Sequence, residues 1–211
     1  MFKTLKLLFN KKNKDIRKKV LFTLGCLLVF IVGKTIPVPG TQGAVSDLGL
    51  WELYDAISGG GLEQFSIFAL GVMPYISASL ITGILQMDII PYFTELKEQG
   101  ATGHQKINQI NRYLGLVIAF LQGFAMSFAF LPDGGALDFL KTAIILTGGT
   151  AFLLWMADQM TQKGIGSGVS LLIMAGIISS IPNMFIETFQ ALVLGNENLT
   201  MGIVTFGLFV L

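Results

Sequence analysis

Charge is scarce in this chain, and so are cysteine and histidine. Only 13% of its 211 residues are Asp, Glu, Lys or Arg, against 53% hydrophobic residues and a mean hydropathy of +0.70, a balance too apolar for an ordinary soluble domain. The single cysteine, Cys26, excludes an internal disulfide, and it sits inside an apolar run where it reads as a small hydrophobe. His104 has no second histidine to share a metal or a catalytic relay with. The formal net charge is only +1, which gives no basis for nucleic-acid binding. Ionisable groups are missing from the interiors of the long apolar runs as well: Lys34, Asp88, Lys141, Asp158 and Glu187 all fall near run ends, where long side chains reach the interface. A proton- or ion-coupled carrier needs such a group near the midplane, so that class is weakened.

What is present is a series of apolar runs. A helix needs roughly 17 to 25 mostly apolar residues to cross a bilayer. The runs 20–36, 65–90, 113–131, 139–157 and 169–194 meet this, and a sixth starts at Leu199 and reaches Leu211. This predicts an all-α polytopic membrane protein: a basic segment over 1–19, then a transmembrane region over 20–211 with five spanning helices and the start of a sixth. The short final run suggests a truncated chain. Basic residues precede the first run, as in a signal peptide, but Pro37-Val-Pro-Gly40 follows it in place of a small-residue cleavage site, so the run is read as a retained helix.

The Lys and Arg residues alternate in side. Eight precede the first run, Lys97, Lys106 and Arg112 lie between the second and third, and Lys163 lies between the fourth and fifth. Only Lys34 and Lys141 fall on the other side, together with Asp47, Glu52, Asp55, Glu63, Asp133, Asp138, Glu187 and Glu197. The excess of basic residues marks the cytoplasmic side and places the N-terminus there.

The second run is irregular. Gly59, Gly60 and Gly61 stand on one side of a short apolar piece, with Gly71 and Pro74 on the other. A proline kink accounts for this, and so does a half-inserted helix on a glycine hinge, whose freed backbone must be satisfied in protein or beside water. The run Gly164-Ile-Gly-Ser-Gly168 lacks both the Walker lysine and dinucleotide-fingerprint spacing, and reads as a tight turn opening the next helix.

Four motifs in order, Pro37-Val-Pro-Gly40, Ser66-Ile-Phe-Ala-Leu-Gly71, Met73-Pro-Tyr-Ile-Ser-Ala-Ser79, and Lys163-Gly-Ile-Gly-Ser-Gly168 with Ser170, resemble the SecY family of protein-conducting channels. The resemblance runs along essentially the whole chain and implies the N-terminal half of a ten-helix, two-halved channel. It implies that residues 59–70 form a re-entrant plug helix with Gly59, Gly60 and Gly61 as hinge and Phe65, Ile67, Phe68, Leu70 and Gly71 in its body or at its end. It assigns Val72, Ile76, Val169 and Ile173 to an apolar pore ring, and their i, i+4 spacing puts each pair on one helix face. Ser77 and Gln122 match polar positions of a lateral gate, although a polar residue in such a helix also serves simply to bond a neighbour. The family often has an arginine where this sequence has Ile31, which leaves any role of that arginine without a carrier.

The resemblance further implies a passive, non-enzymatic channel without cofactor or metal, in the bacterial cell membrane. It would conduct unfolded preproteins and release hydrophobic segments, signal peptides among them, into the lipid bilayer. The implied partners are the small subunits SecE and SecG, the SecA motor ATPase and the ribosome. Two other readings stay open: a carrier or insertase that builds a pore by oligomerising, and a membrane scaffold that conducts nothing.

Overall fold

The computed structural model describes residues 14–40, 65–87, 89–131 and 134–189, with the side chains of residues 101, 129, 180 and 183–189 left aside. Six helices account for most of them: α1 (Lys14–Lys34), α2 (Met73–Leu85), α3 (Pro91–Glu98), α4 (Ala101–Phe130), α5 (Ala136–Lys163) and α6 (Gly168–Phe189). Among the described residues the β geometry is confined to one isolated antiparallel bridge between Pro37 and Ser66.

Local chemistry sets the boundaries. Pro37 disfavours helical backbone at Ile36, and α1 ends at Lys34. Pro74 and Pro91 stand in the first turns of α2 and α3, where a missing N–H costs nothing. Asp138 accepts the Gly135 N–H at 3.3 Å and pairs with Lys141 at 3.1 Å, which closes the start of α5. Gly166, at φ +72°, allows the sharp reversal from α5 into α6.

The centre of the molecule is α5. Its buried residues Thr142, Leu146, Gly149, Leu153, Met156 and Met160 follow helical spacing along one face. Against them pack α4, α6 and α1. Ser127 of α4 reaches the Phe139 carbonyl at 3.3 Å, and Arg112 pairs with Asp158, so α4 and α5 run antiparallel. The Ile165 N–H donates to Thr23 at 3.3 Å and Lys34 donates to Ser179 at 2.5 Å, so α1 runs parallel to α6. Tyr75 lies against Gly115 and Thr82 hydrogen-bonds Asn111, which sets α2 antiparallel to α4.

The surface is apolar where a soluble protein would be charged. Leu21, Leu24 and Leu28 of α1 are 73%, 57% and 63% exposed, and Leu80, Ile144, Trp155 and Ile178 are likewise exposed. One helix among the described residues, α5, is both long and apolar enough to cross a bilayer.

One expectation needs correction. The 65–90 run is interrupted as its glycines and proline indicate: residues 65–72 are a succession of turns, and α2 begins at Met73 with 13 residues, about 20 Å of helix, which by itself falls short of a bilayer core. Residues 65–71 therefore do not contribute a re-entrant helix. Positive φ at Phe65 (43°) and Gly71 (55°) interrupts helical backbone there, and Ser66 is drawn into the bridge with Pro37. The rest of the expected plug, including Gly59, Gly60 and Gly61, lies outside the described residues, as do the run from Leu199 and the acidic residues Asp47 and Asp133.

Candidate functional site

Two elements supply the candidate ring. Val72 caps α2 and lies one turn below Ile76, whose N–H donates to the Val72 carbonyl at 3.2 Å. Val169 and Ile173 stand one turn apart in the first turns of α6. That helix begins where it does because the Gly168 N–H donates to the Thr161 hydroxyl at 2.8 Å. Gly168 also lies directly on the backbone of Ala157, where a Cβ would overlap the carbonyl oxygen. The absence of that side chain lets α6 approach α5 closely and fixes the height of Val169.

All four residues meet in one apolar cluster. Its buried centre is Phe30, Phe68, Val72, Leu153, Met156, Met160 and Leu172, and Ile76, Val169 and Ile173 pack against it while staying partly exposed. Val72 is only 2% exposed. The structure thus brings the sequence-derived set together, but splits it into one core residue and three residues with a free side.

Next to this cluster, residues 65–71 are buried apart from Ile67, which is partly exposed. Phe68 stacks between Phe30 (ring centroids 6.2 Å apart) and Phe152 (6.0 Å), and Phe65 stacks on Phe130 at 4.1 Å. Phe65, Leu70 and Ala69 belong to a second cluster with Val38, Ala119, Met126 and Leu146. Ile67 touches both clusters.

The gate candidates Ser77 and Gln122 are each half-buried, on α2 and α4 respectively. Among the described residues, Gln122 Oε1 is buried without a hydrogen-bond partner, as is Thr150 Oγ1 of α5. The joint between α2 and α4 is instead made by Thr82 and Asn111, a buried side-chain pair that the sequence reading passed over. A polar residue inside the second run and another just before the third were the available signal. The Arg112–Asp158 pair was legible only as two charges at run ends.

The described residues form an all-helical bundle with an apolar core and an apolar exterior. Among solved structures it resembles "The structure of a protein conducting channel", with a TM-score of 0.60 at 20% identity over 87% of this chain and 39% of that one. Sec61 in the canine ribosome-channel complex from the endoplasmic reticulum gives the same TM-score of 0.60 at 20% identity, also over 87% of this chain and 39% of that chain. The SecY family model matches residues 66–211, and the chain belongs to the SecY family. It is 42% identical to protein translocase subunit SecY of Staphylococcus carnosus over 203 residues, covering 90% of this chain and 47% of that protein. With the Staphylococcus epidermidis subunit it shares 40% over 214 residues, covering 95% and 49%. The chain spans about half the length of these relatives.

Proposed function

We propose that this chain forms the N-terminal half of a protein-conducting channel that passes unfolded polypeptide through a membrane and releases hydrophobic segments sideways into the lipid. The observation that carries the reading is the meeting of Val72, Ile76, Val169 and Ile173 in one apolar cluster of a SecY-family chain. A narrow apolar neck resists ions because water withdraws from it, while its side chains adjust around a passing peptide. Ile76, Val169 and Ile173 keep a free side for that contact.

In this reading the chain crosses a bacterial cell membrane five times, the second crossing made by residues 65–72 and α2 together, and starts a sixth crossing, with its N-terminus in the cytoplasm. Support comes from the helix directions. The starts of α1, α4 and α6 and the ends of α2 and α5 share one end of the bundle, and Lys18, Lys106, Arg112 and Lys163 all belong to it. Ser77 and Gln122 line the lateral gate, whose second wall comes from the C-terminal half. Gly59, Gly60 and Gly61 hinge a plug whose root is Phe65, Ile67, Phe68, Leu70 and Gly71; a plug domain is named for a SecY protein of similar fold, at a TM-score of 0.55. The chain performs no catalysis and takes no cofactor. Energy comes from SecA or a translating ribosome, with SecE and SecG completing the complex.

The test is translocation by proteoliposomes. Co-expression with the matching C-terminal half and the small subunits should give SecA-dependent import of a preprotein, and the 211-residue chain alone should give none. Saturable import by the purified chain alone would replace this reading with an oligomeric pore.

A further inference from the structure

Residues 65–71 occupy the place where the channel reading puts the inner part of a movable plug, yet their packing is that of a fixed core element. Phe65, Ser66, Ala69 and Leu70 are each at most 1% exposed, and Phe68 is 6% exposed. Their backbone is tied at both ends. At the near end the Val38 N–H donates to the Phe65 carbonyl at 2.9 Å and the Ile67 N–H to the Ile36 carbonyl at 3.0 Å. At the far end the Gly71 N–H donates to the Phe68 carbonyl at 2.8 Å and leads directly into Val72. Two glycines are shaped to receive the segment. A Cβ at Gly33 would collide with the Phe68 ring, and one at Gly149 with the Ile67 carbonyl oxygen. The segment also joins the two apolar clusters, giving Phe68 to one and Phe65, Ala69 and Leu70 to the other.

We propose that residues 65–71 are a stationary abutment, clamped by the Pro37–Ser66 bridge and the Gly33 and Gly149 slots, that positions Val72 in the apolar cluster and stays in place while the channel conducts. Swinging this segment aside would expose five almost fully buried side chains and leave holes in both clusters, which close-packed interiors do not tolerate. The bridge itself is suited to permanence. Its two hydrogen bonds flank Pro37 and Ser66, which makes these residues a non-hydrogen-bonded antiparallel pair, and Pro37 therefore loses no bond by lacking an N–H. Any displacement that opens the channel is then confined to parts of the chain other than this segment. The inference rests on the channel reading and sharpens its plug assignment.

A cross-link tests it. Non-hydrogen-bonded antiparallel pairs hold their Cα atoms about 4.5 Å apart, inside the disulfide range. In the complete channel with Cys26→Ala, the pair Pro37→Cys and Ser66→Cys should oxidise readily at rest, and preprotein import by the oxidised channel should differ by less than about twofold from the reduced one, because locking a part that does not move adds no barrier. Import lost on oxidation and restored by reductant would overturn the proposal, and so would failure of the two cysteines to join. Wild-type protein supplies an independent readout. Amide exchange at Val38 and Ile67 should be equally slow at rest and with a preprotein, fused to a tightly folded domain, stalled in the channel. Loss of that protection on engagement would also overturn the proposal. Absence of import by the wild-type complex would instead remove the channel reading itself, and the proposal with it.

Discussion

Ile76 and Ile173 pack against the apolar cluster while remaining half-buried, and in the proposed channel a polar group placed there meets the neck and not the core. An amide in a dewetted constriction holds water and lowers the barrier to ions. In the complete channel Ile76→Asn or Ile173→Asn should therefore raise resting conductance in planar bilayers, whereas Ile→Leu at either site should leave it near the wild-type value. Ile118, half-buried on α4 and outside both clusters, is the control: equal leak from Asn at all three positions would mean general destabilisation instead of a broken seal. Val72 should behave differently, since at 2% exposure an amide there is buried and costs stability. A second prediction concerns neighbouring glycines. Gly149→Ala drives a methyl into the Ile67 carbonyl and should destabilise the protein by about 1–3 kcal/mol. Gly148, with nothing within 4 Å of its Cβ position, should accept alanine with a gain of up to ~1 kcal/mol from helix propensity. Thermal unfolding in detergent separates them, and equal midpoints for the two variants would contradict the slot. Nothing in the sequence distinguishes Gly148 from Gly149. Their difference exists only once residues 65–71 are laid across α5.

At the scale of elements, the helical class and the positions of α1, α4, α5 and α6 could be read in advance because each depends on local apolar spacing. The second run could be read only in part. Gly71 and Pro74 marked an interruption, but the event that decides it is a pairing between Pro37 and Ser66, nearly thirty residues apart in sequence, and tertiary pairing of this kind leaves no periodicity to count. The same applies to the joint that holds the short α2. Thr82 and Asn111 are buried and bonded to each other across the α2–α4 contact, where Gly115 lets the backbone of Tyr75 approach to 3.2 Å from its Cβ position. Asn111→Ala should cost about 1–3 kcal/mol, because it removes a buried partner. In a Thr82→Val background the same change should cost less, with a coupling energy of about 0.5 kcal/mol or more. A double-mutant cycle on detergent-solubilised protein measures this. Strict additivity would show that the two side chains do not depend on each other.

Across the whole molecule, two independent arguments fix which ends of the helices lie together. The basic residues alternate by segment, and the packing of α1 beside α6, α4 against α5 and α2 against α4 groups the same segments spatially. Thr23 meets Ile165 near one end, and Lys34 meets Ser179 toward the other. Lys34 also lies 5.9 Å from the Phe30 ring centroid, so one of the few cations of the poorly basic end is held by the bundle. If the basic end is cytoplasmic, cysteines placed at Gln105 and Lys163 should react with a membrane-impermeant maleimide only from the cytoplasmic side, in a Cys26→Ala background. Both side chains are exposed in the structure. A cysteine at Ala136, exposed at the start of α5, should react only from outside. Asp47 and Asp133, beyond the described residues, carry the same outward expectation from charge alone. The three structural positions suffice to decide, because α4 and α5 are antiparallel neighbours joined at Phe130–Ala136. Residue 105 near the start of α4 and residue 163 at the end of α5 must then share a side, and residue 136 must take the other. Labelling of 105 and 136 from the same face would break that geometry, while the reverse pattern, with 136 alone accessible from the cytoplasm, would keep the bundle intact and invert it in the membrane.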